Sequence, residues 1–292
     1  DDCRAEVAER IAAGGEVVTP LRDEDVLRAL DTLRGRGVKT VAICFLHAYQ
    51  NAAHEQRARQ LVAQHWPEAY VSVSSEVLPE FREYERFITT VVNASLMPVM
   101  DDYLQRFEMG VRDLGVRSAP HVMQSNGGAV TTQTVRQRPI NTFFSGPAGG
   151  VVSTAALGEA CGVRNLITFD MGGTSTDVCL IRDGRPAMKS ERDMGGFPVR
   201  TRTLDIHTIG AGGGSLAWLD AGGLLKVGPK SASAYPGPAS YGRGGTKPTV
   251  TDANVLLGRL SPVALLGGRM SMHPELAAQA IRDEVATAMG RG

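Results

Sequence analysis

The stretch ITFDMGGTSTDVCLI, residues 167–181, places a glycine pair between two apolar arms. Its polar segment runs from Asp170 to Asp177 and contains Gly172 and Gly173 followed by hydroxyl residues. A glycine pair is a common hairpin turn, and such a pair can turn with positive φ. Glycines also leave backbone N–H groups open to an approaching oxyanion. The stretch alone is about equally compatible with a plain β-hairpin and with a phosphate-binding loop.

The two aspartates of this stretch favour a metal-bound phosphate over a bare anion. Asp170 and Asp177 cannot contact a bare phosphate favourably, and carboxylates beside phosphates usually act through Mg²⁺ and its waters. The hydroxyls of Thr174, Ser175 and Thr176 add neutral donors. If the loop binds phosphate, we therefore expect a metal nucleotide.

A second glycine cluster lies in DIHTIGAGGGSLAWLD, residues 205–220. It resembles part of a dinucleotide fingerprint, but Ser215 occupies the last glycine position and no acidic residue follows at the required distance in a βαβ unit. Four glycines in five positions indicate close backbone approach, either to a ligand, which we favour slightly, or to a neighbouring strand. His207, two residues after Asp205, could reach a metal or substrate, although a lone strand histidine is more often structural.

Composition bounds the class of protein. A chain of 292 residues with 42% hydrophobic residues suggests two lobes with ample core, and no apolar run is long enough for a membrane span. The 31 basic and 31 acidic residues balance, so no global charge attracts nucleic acid or an anionic membrane. Cys44 and Cys179 lie in apolar runs, which favours buried free thiols and a cytoplasmic location. P-loop, nucleophile-elbow and HExxH motifs are absent from the sequence.

Helical and strand patterns alternate in the first third of the chain, which predicts a mainly parallel sheet covered by helices. A long periodic apolar pattern predicts a helix over residues 80–109, either continuous or broken at Pro98. Pro147 can begin a helix of small residues that ends at Ala160 and is suited to close packing. We expect an α/β lobe at 1–145 and a phosphate-loop lobe with glycine-rich loops at 146–292.

Taken together, the motifs resemble an actin-like (ribonuclease H-like) ATPase core, with mixed sheets flanked by helices. At the level of individual sequence motifs, the chain is similar to the hydantoinase A/oxoprolinase family, and the match covers nearly the whole chain. The segments that carry it occur in the expected order: PEFREYERFITTVVNASLMP, QSNGG, SGPAGGV, DMGGTSTDV, TIGAGGGSLAWLD, VGP, PGPASYGRGG and TVTDANVLLGRL.

The resemblance implies ATP-dependent opening of a cyclic amide or imide of the hydantoin or oxoproline type, in which ATP phosphorylates a carbonyl oxygen. It is equally compatible with an ATP-dependent ketone carboxylase, and a non-catalytic actin-like scaffold is a further alternative. The implied partners are a hydantoinase B-like subunit or domain and the cyclic amide, in an oligomer that binds neither nucleic acid nor membrane.

The resemblance also assigns roles to individual residues. Asp170 and Asp177 would hold Mg²⁺, and Asp170 is the candidate catalytic residue. The residues that would bind ATP are Gly172, Gly173, Thr174, Ser175, Thr176, Gly212, Gly213, Gly214 and Ser215.

The chain departs from the family pattern at several positions. Family members carry an earlier D-x-G-G-T loop that should face this one, and none precedes Asp170 here, so we expect the isolated chain to bind nucleotide poorly. Ser240 stands where cysteine is expected, Ser233 where glycine is expected, and Ile88–Thr90 replaces a triplet that begins with serine. These departures leave the roles of Asp205, His207 and Ser240 open.

Overall fold

The computed structural model describes residues 3–263 and 269–291. The elements of the first part of the chain are β1 Arg10–Ile11, β2 Val17–Thr19, α1 Asp23–Gly35, β3 Thr40–Ile43, α2 Ala53–His65, β4 Tyr70–Val73, α3 Ser74–Val77, α4 Glu83–Asp113, β5 His121–Met123, β6 Ala129–Thr131 and α5 Thr132–Gln137. They are followed by α6 Ser145–Ala160, β7 Leu166–Met171, β8 Thr176–Arg182, β9 Arg185–Pro186, β10 Met188–Met194, β11 Phe197–Leu204, β12 Ile206–Ile209, β13 Ser215–Leu219, β14 Leu225–Ser231, α7 Val250–Leu256 and α8 Pro274–Ile281.

The chain divides into two units. The first comprises Asp1–Val152 and Ala187–Asp205, and the second comprises Ser153–Pro186 and Ile206–Gly292. This division differs from the predicted lobes at 1–145 and 146–292, because it falls inside α6 and because the β10–β11 hairpin belongs to the first unit.

Alternating helices and strands build the core of the first unit, as their patterns predict. Strands β3 and β4 pair in parallel, and their apolar side chains pack against α1 and α2. The other strand pairs of the described residues are antiparallel, so the predicted parallel sheet is confirmed for two strands only. The buried side chains of this core are Val26, Leu30, Val41, Ile43, Ala58, Leu61, Val62, Trp66 and Val73.

Helix α4 confirms the predicted long helix, which is continuous through Pro98. Its buried face, however, is not the predicted apolar stripe. Arg86 and Asn93 are fully buried, whereas Tyr84 and Val99 are more than half exposed. Hydrogen bonding explains the reversal: the Asn93 amide donates to the Ser72 hydroxyl in β4 and to the Gln137 carbonyl oxygen. The polar face of the helix therefore satisfies polar groups of its neighbours.

The second unit is built around the sheet β12–β8–β7, with β9 paired to the far end of β8. The predicted helix of small residues is confirmed as α6, and its last turns need a glycine. A Cβ at Gly158 would lie 2.3 Å from Leu166 Cδ1 and 2.6 Å from the Val163 carbonyl oxygen. At this point small residues permit the close packing that the sequence predicts.

The start of α7 is capped by Thr249. The Thr249 side chain accepts from the Asp252 N–H, and the Asp252 carboxylate accepts from the Thr249 N–H at 2.9 Å. This reciprocal capping box satisfies donors at the helix start. Asp252 also accepts from the N–H of Ser240 at 2.8 Å, which joins the helix to the preceding loop.

All four cysteines are free thiols; Cys179 is buried and Cys44 is half-buried, while Cys3 and Cys161 are exposed. Burial, followed by the charge of the nearby Glu55 carboxylate, raises the pKa of Cys44 to about 12. No helix within the described ranges has both the length and the apolar character needed to cross a bilayer.

Candidate functional site

Residues 167–181 form a β-hairpin. Strands β7 and β8 pair antiparallel, with Asp170 opposite Asp177 and Met171 opposite Thr176. The turn is closed by a hydrogen bond of 2.9 Å from the Gly172 N–H to the Ser175 carbonyl oxygen. The hairpin interpretation is therefore confirmed.

The turn presents three successive N–H groups. Those of Gly173, Thr174 and Ser175 donate to no acceptor in the part of the chain that the structure describes. Gly173 and Thr174 are exposed, and Ser175 is half-buried. Consecutive free N–H groups form a concave set of partial positive charges that suits an anion.

Gly172 and Gly173 do not adopt the positive φ that a glycine pair permits. The turn closes through the Gly172 to Ser175 bond without a left-handed residue. A Cβ built on Gly173 would meet no protein atom within 4 Å. Protein sterics therefore do not require glycine at 173, and its bare surface leaves room for a group from outside the chain.

The two aspartates share a face of the sheet at the turn end of the hairpin. Because side chains alternate along a strand, Asp170 and Asp177 lie on the same face as the buried Thr168 and Cys179. Thr208 of β12 continues the row beside Asp177, and its hydroxyl donates to Asp177 Oδ1 at 2.6 Å. The sequence reasoning missed Thr208, which only the register of β12 on β8 reveals.

This donor set fits a magnesium nucleotide. Mg²⁺ is usually held by one or two carboxylates together with phosphate oxygens and water. Within the described residues there is no group of three or more acidic, histidine or cysteine side chains that could hold a metal by itself. A metal shared between protein and phosphate would use such carboxylates and N–H donors together, and Mg²⁺ binding by Asp170 and Asp177 stays a prediction.

The second glycine cluster packs directly against this turn. The N–H of Gly213 donates to the Gly172 carbonyl oxygen at 3.0 Å, and the N–H of Gly214 donates to the Gly173 carbonyl oxygen at 2.6 Å. A Cβ on Gly212 would lie 2.7 Å from the Ser175 nitrogen and 2.8 Å from the Gly172 carbonyl oxygen. Of the two predicted interpretations, the structure shows the close approach to a neighbouring strand.

Hydroxyl groups hold the second cluster in place. The buried Ser215 Oγ accepts from the Gly212 N–H at 2.8 Å. The Thr176 hydroxyl donates to the Ala211 carbonyl oxygen. In this structure the N–H groups of residues 212–214 therefore bond within the protein and support the turn, and their contact with a nucleotide stays a prediction.

Other predicted candidates lie apart from the aspartates. His207 is exposed on β12, but it stands beside Val178 and therefore on the opposite face from Asp177. Asp205 lies between β11 and β12 and belongs to the first unit.

Two of the departures have structural correlates. Ser240 is fully buried, and its hydroxyl has no hydrogen-bond partner within the described residues. Ser233 has a φ of 56°, in the left-handed region that favours glycine, the residue expected there from the resemblance.

Comparison with known proteins identifies the family of the chain. The profile of the hydantoinase/oxoprolinase family matches residues 86–292, and that of the family's N-terminal region matches residues 1–66. The caprolactamase subunit alpha of Pseudomonas jessenii is 41% identical over 287 residues, which is 98% of this chain and 41% of that protein. The crystal structure of this ATP-dependent caprolactamase superimposes with a TM-score of 0.82 at 40% sequence identity, covering 98% of this chain and 41% of that one.

Two further relatives represent different activities. The acetophenone carboxylase gamma subunit of Aromatoleum aromaticum is 34% identical over 97% of this chain and 40% of that protein. The 5-oxoprolinase of Saccharomyces cerevisiae is 41% identical over 85% of this chain and 19% of that protein. The chain thus spans about two-fifths or less of each of these relatives. With a matching profile over most of its length, it belongs to the hydantoinase/oxoprolinase family.

Proposed function

We propose that the β7–β8 turn binds the phosphates of Mg·ATP and that the protein uses the nucleotide to open a cyclic amide. The observation that carries this proposal is the row of three successive N–H groups that have no acceptor among the described residues, at Gly173, Thr174 and Ser175, next to two aspartates. A plain hairpin turn would not need this combination.

Each part of the turn has a task in phosphate binding. The three N–H groups donate to phosphate oxygens, which costs no reorganisation because residues 212–214 already hold the turn from behind. Asp170 and Asp177 hold Mg²⁺ directly or through water, and Thr208 orients the Asp177 carboxylate. Bound Mg·ATP would supply a phosphoryl group to the amide carbonyl oxygen, which would activate the carbonyl carbon toward water, so that the ring C–N bond breaks and phosphate is released by hydrolysis. Charge neutralisation and in-line positioning are the main demands of that transfer.

The family relationship supports an amide substrate. The caprolactamase subunit alpha and the yeast 5-oxoprolinase are each 41% identical to this chain over the matched residues, and the names of both denote action on a cyclic amide. Because the chain spans 41% of the caprolactamase subunit, the activity belongs to a longer assembly. We propose an actin-like ATPase core and a hydantoinase B-like subunit as parts of that assembly.

A second candidate is ATP-dependent carboxylation of a ketone. The acetophenone carboxylase gamma subunit matches 97% of the chain at 34% identity. The same phosphate site would serve both reactions. A product assay of the full assembly with lactam and ketone substrates separates them, since only carboxylation consumes bicarbonate.

The nucleotide site is tested with Mg·ATP binding to the full-length protein by calorimetry. Asp170→Asn and Asp177→Asn keep the side-chain size and remove one charge each, and we expect at least about tenfold weaker binding because the phosphates are then under-neutralised. Asp183→Asn is the matched control, since Asp183 is an exposed aspartate at the opposite end of β8. Affinity that is unchanged in both site variants would overturn the proposal.

A further inference from the structure

A cavity of about 280 Å³ lies in the first unit, which does not contain the phosphate turn. Its lining includes the whole of strand β4. Trp66, Val73 and Met97 are buried residues of its apolar wall. Arg59, Glu76 and Arg138 supply its charged groups. The proposed reaction uses none of these residues.

Among the described residues, no strand pairs with β4 on the side away from β3. The pair β3–β4 is a two-stranded sheet, and the Tyr70 N–H donates to the Lys39 carbonyl oxygen at 3.1 Å. In a parallel ladder alternate residues bond the same neighbour, so this bond and the register direct the groups of Tyr70 and Ser72 toward β3. The N–H and C=O of Val71, and the N–H of Val73, therefore point away from β3.

These outward groups are spaced as another strand requires. Residues two apart in a strand are separated by about 6.6 Å, which is the repeat of hydrogen-bonding groups along an added strand. The Asn93 amide donates to the Ser72 hydroxyl at 3.0 Å and to the Gln137 carbonyl oxygen at 3.1 Å. These two bonds fix Gln137, on the cavity wall that faces β4, relative to the strand. The cavity is thus held open beside a strand edge.

The charges of the cavity indicate what it would accept. Arg59 forms an ion pair with Glu76. Arg138 is exposed, and no carboxylate within the described residues lies within ion-pair distance of it. The guanidinium of Arg138 is therefore a positive charge of the cavity without an ion-pair partner among the described residues, which favours an acidic side chain on the occupant.

We infer that this cavity binds an extended, acidic peptide segment of another protein chain, which adds as a strand to the free edge of β4. The segment bonds to the outward groups of Val71 and Val73, places alternate apolar side chains against Trp66 and Met97, and an acidic side chain near Arg138. Unpaired strand edges are common sites of such addition.

The experiment uses the 292-residue chain and the blocked peptide acetyl-VEVEV-amide as a probe. Binding is measured by calorimetry and by hydrogen exchange at the Val71 and Val73 amides. We expect saturable binding that slows exchange at both amides. Val71→Pro removes the outward N–H, a loss that proline permits at a strand edge, and is expected to weaken binding about tenfold or more. Arg138→Gln is expected to weaken binding of the acidic peptide, whereas Arg117→Gln, at an exposed arginine outside the cavity, is not.

Each outcome decides the proposal. Absence of binding, equal binding by Val71→Pro, or equal binding of a peptide with lysines in place of the glutamates would overturn it. If Val71→Pro does not fold, slowed exchange of the Val71 amide in the unaltered chain still supports strand addition, and unchanged exchange excludes it. If exchange at Val71 slows with protein concentration alone, the occupant is a second copy of this chain, and the commitment to a separate partner fails.

Discussion

Gly212 has no room for a side chain, because a Cβ there would lie 2.7 Å from the Ser175 nitrogen and 2.8 Å from the Gly172 carbonyl oxygen. Backbone atoms cannot turn away as the end of a side chain can. We expect Gly212→Ala to lower the free energy of unfolding by about 1–3 kcal/mol and to weaken Mg·ATP binding. Urea denaturation and calorimetry measure the two effects.

Gly173→Ala is the matched control, since a Cβ at Gly173 meets no protein atom within 4 Å. The free energy of unfolding should change little in this variant, while nucleotide binding should weaken if phosphate approaches the turn there. Equal losses of stability in Gly173→Ala and Gly212→Ala would contradict the packing that we describe.

Ser240 offers a second test at single-residue resolution. Its hydroxyl is buried without a hydrogen-bond partner in the described residues, which is unfavourable. Ser240→Ala removes this group, and so we expect a stability that is unchanged or raised by about 1 kcal/mol. Ser215→Ala provides the contrast, because the Ser215 hydroxyl accepts from the Gly212 N–H and its loss should destabilise. Thermal unfolding of both variants tests this expectation. A loss of stability in Ser240→Ala as large as that in Ser215→Ala would show that the Ser240 hydroxyl makes a stabilising hydrogen bond.

The residues of the turn were predictable from sequence, but their support was not. Asp170, the glycines and Asp177 follow one another in a recognisable pattern. Thr208 acts on Asp177 only because β12 pairs with β8 in a particular register. Such long-range pairing leaves no local signal. The conformation of the turn likewise depends on residues 212–214, which pack against it, and its glycines do not take the positive φ that they permit.

At the scale of elements, helices α4 and α5 are joined by one guanidinium. Arg136 of α5 donates to Asp101 of α4 at 2.7 Å and to both carboxylate oxygens of Glu108 at 2.8 and 2.9 Å. The hydrogen bonds from Arg136, followed by one from Thr132, lower the pKa of Glu108 to about 2 from an ordinary value of 4.5. The charged form of Glu108 is therefore the form that stabilises the fold.

This lowered pKa predicts an acid dependence of stability. A depressed carboxylate pKa stabilises the folded state fully above pH 4.5, and this contribution is lost as the pH falls toward 2. Glu108→Gln should lower the free energy of unfolding by about 1 kcal/mol or less at neutral pH, because the pair is partly exposed and screened. The difference from the unaltered chain should disappear near pH 2.

Urea denaturation from pH 7 to 2 tests the acid dependence, with Glu159→Gln as control because Glu159 is exposed and forms no ion pair within the described ranges. A stability difference for Glu108→Gln that stayed constant with pH would show that the ion pair with Arg136 is not its cause.

Helix α4 shows how far elements could be predicted. Its length follows from apolar spacing, and Pro98 did not break it. The orientation of the helix did not follow, because Asn93 and Arg86 are buried through bonds to groups distant in the chain, such as the Gln137 and Phe45 carbonyl oxygens. Periodicity assigns apolar residues to the core, and it fails where the neighbours of a helix present polar groups.

At the scale of the whole molecule, two units share one chain that crosses between them more than once. We predicted a lobe boundary at residue 145 from the sequence, but the return of β10 and β11 to the first unit had no sequence signal. That return depends on contacts such as the hydrogen bond of 3.0 Å from the Arg200 N–H to the Thr89 hydroxyl. Local patterns define hairpins, whereas the unit to which a hairpin belongs depends on packing.

The turn, the two aspartates and the supporting glycines all belong to the second unit, and this placement predicts a regional response to nucleotide. Ligands that bind the native state slow exchange where they suppress local opening. With saturating Mg·ATP, backbone amides of residues 166–182 and 206–215 should exchange more slowly, whereas those of 23–43 in the first unit should not. Hydrogen exchange read by mass spectrometry, with Asp170→Asn as a variant of weakened affinity, measures both regions at once. Slowing that occurs in residues 23–43 alone, or that persists fully in Asp170→Asn, would place the nucleotide elsewhere in the chain.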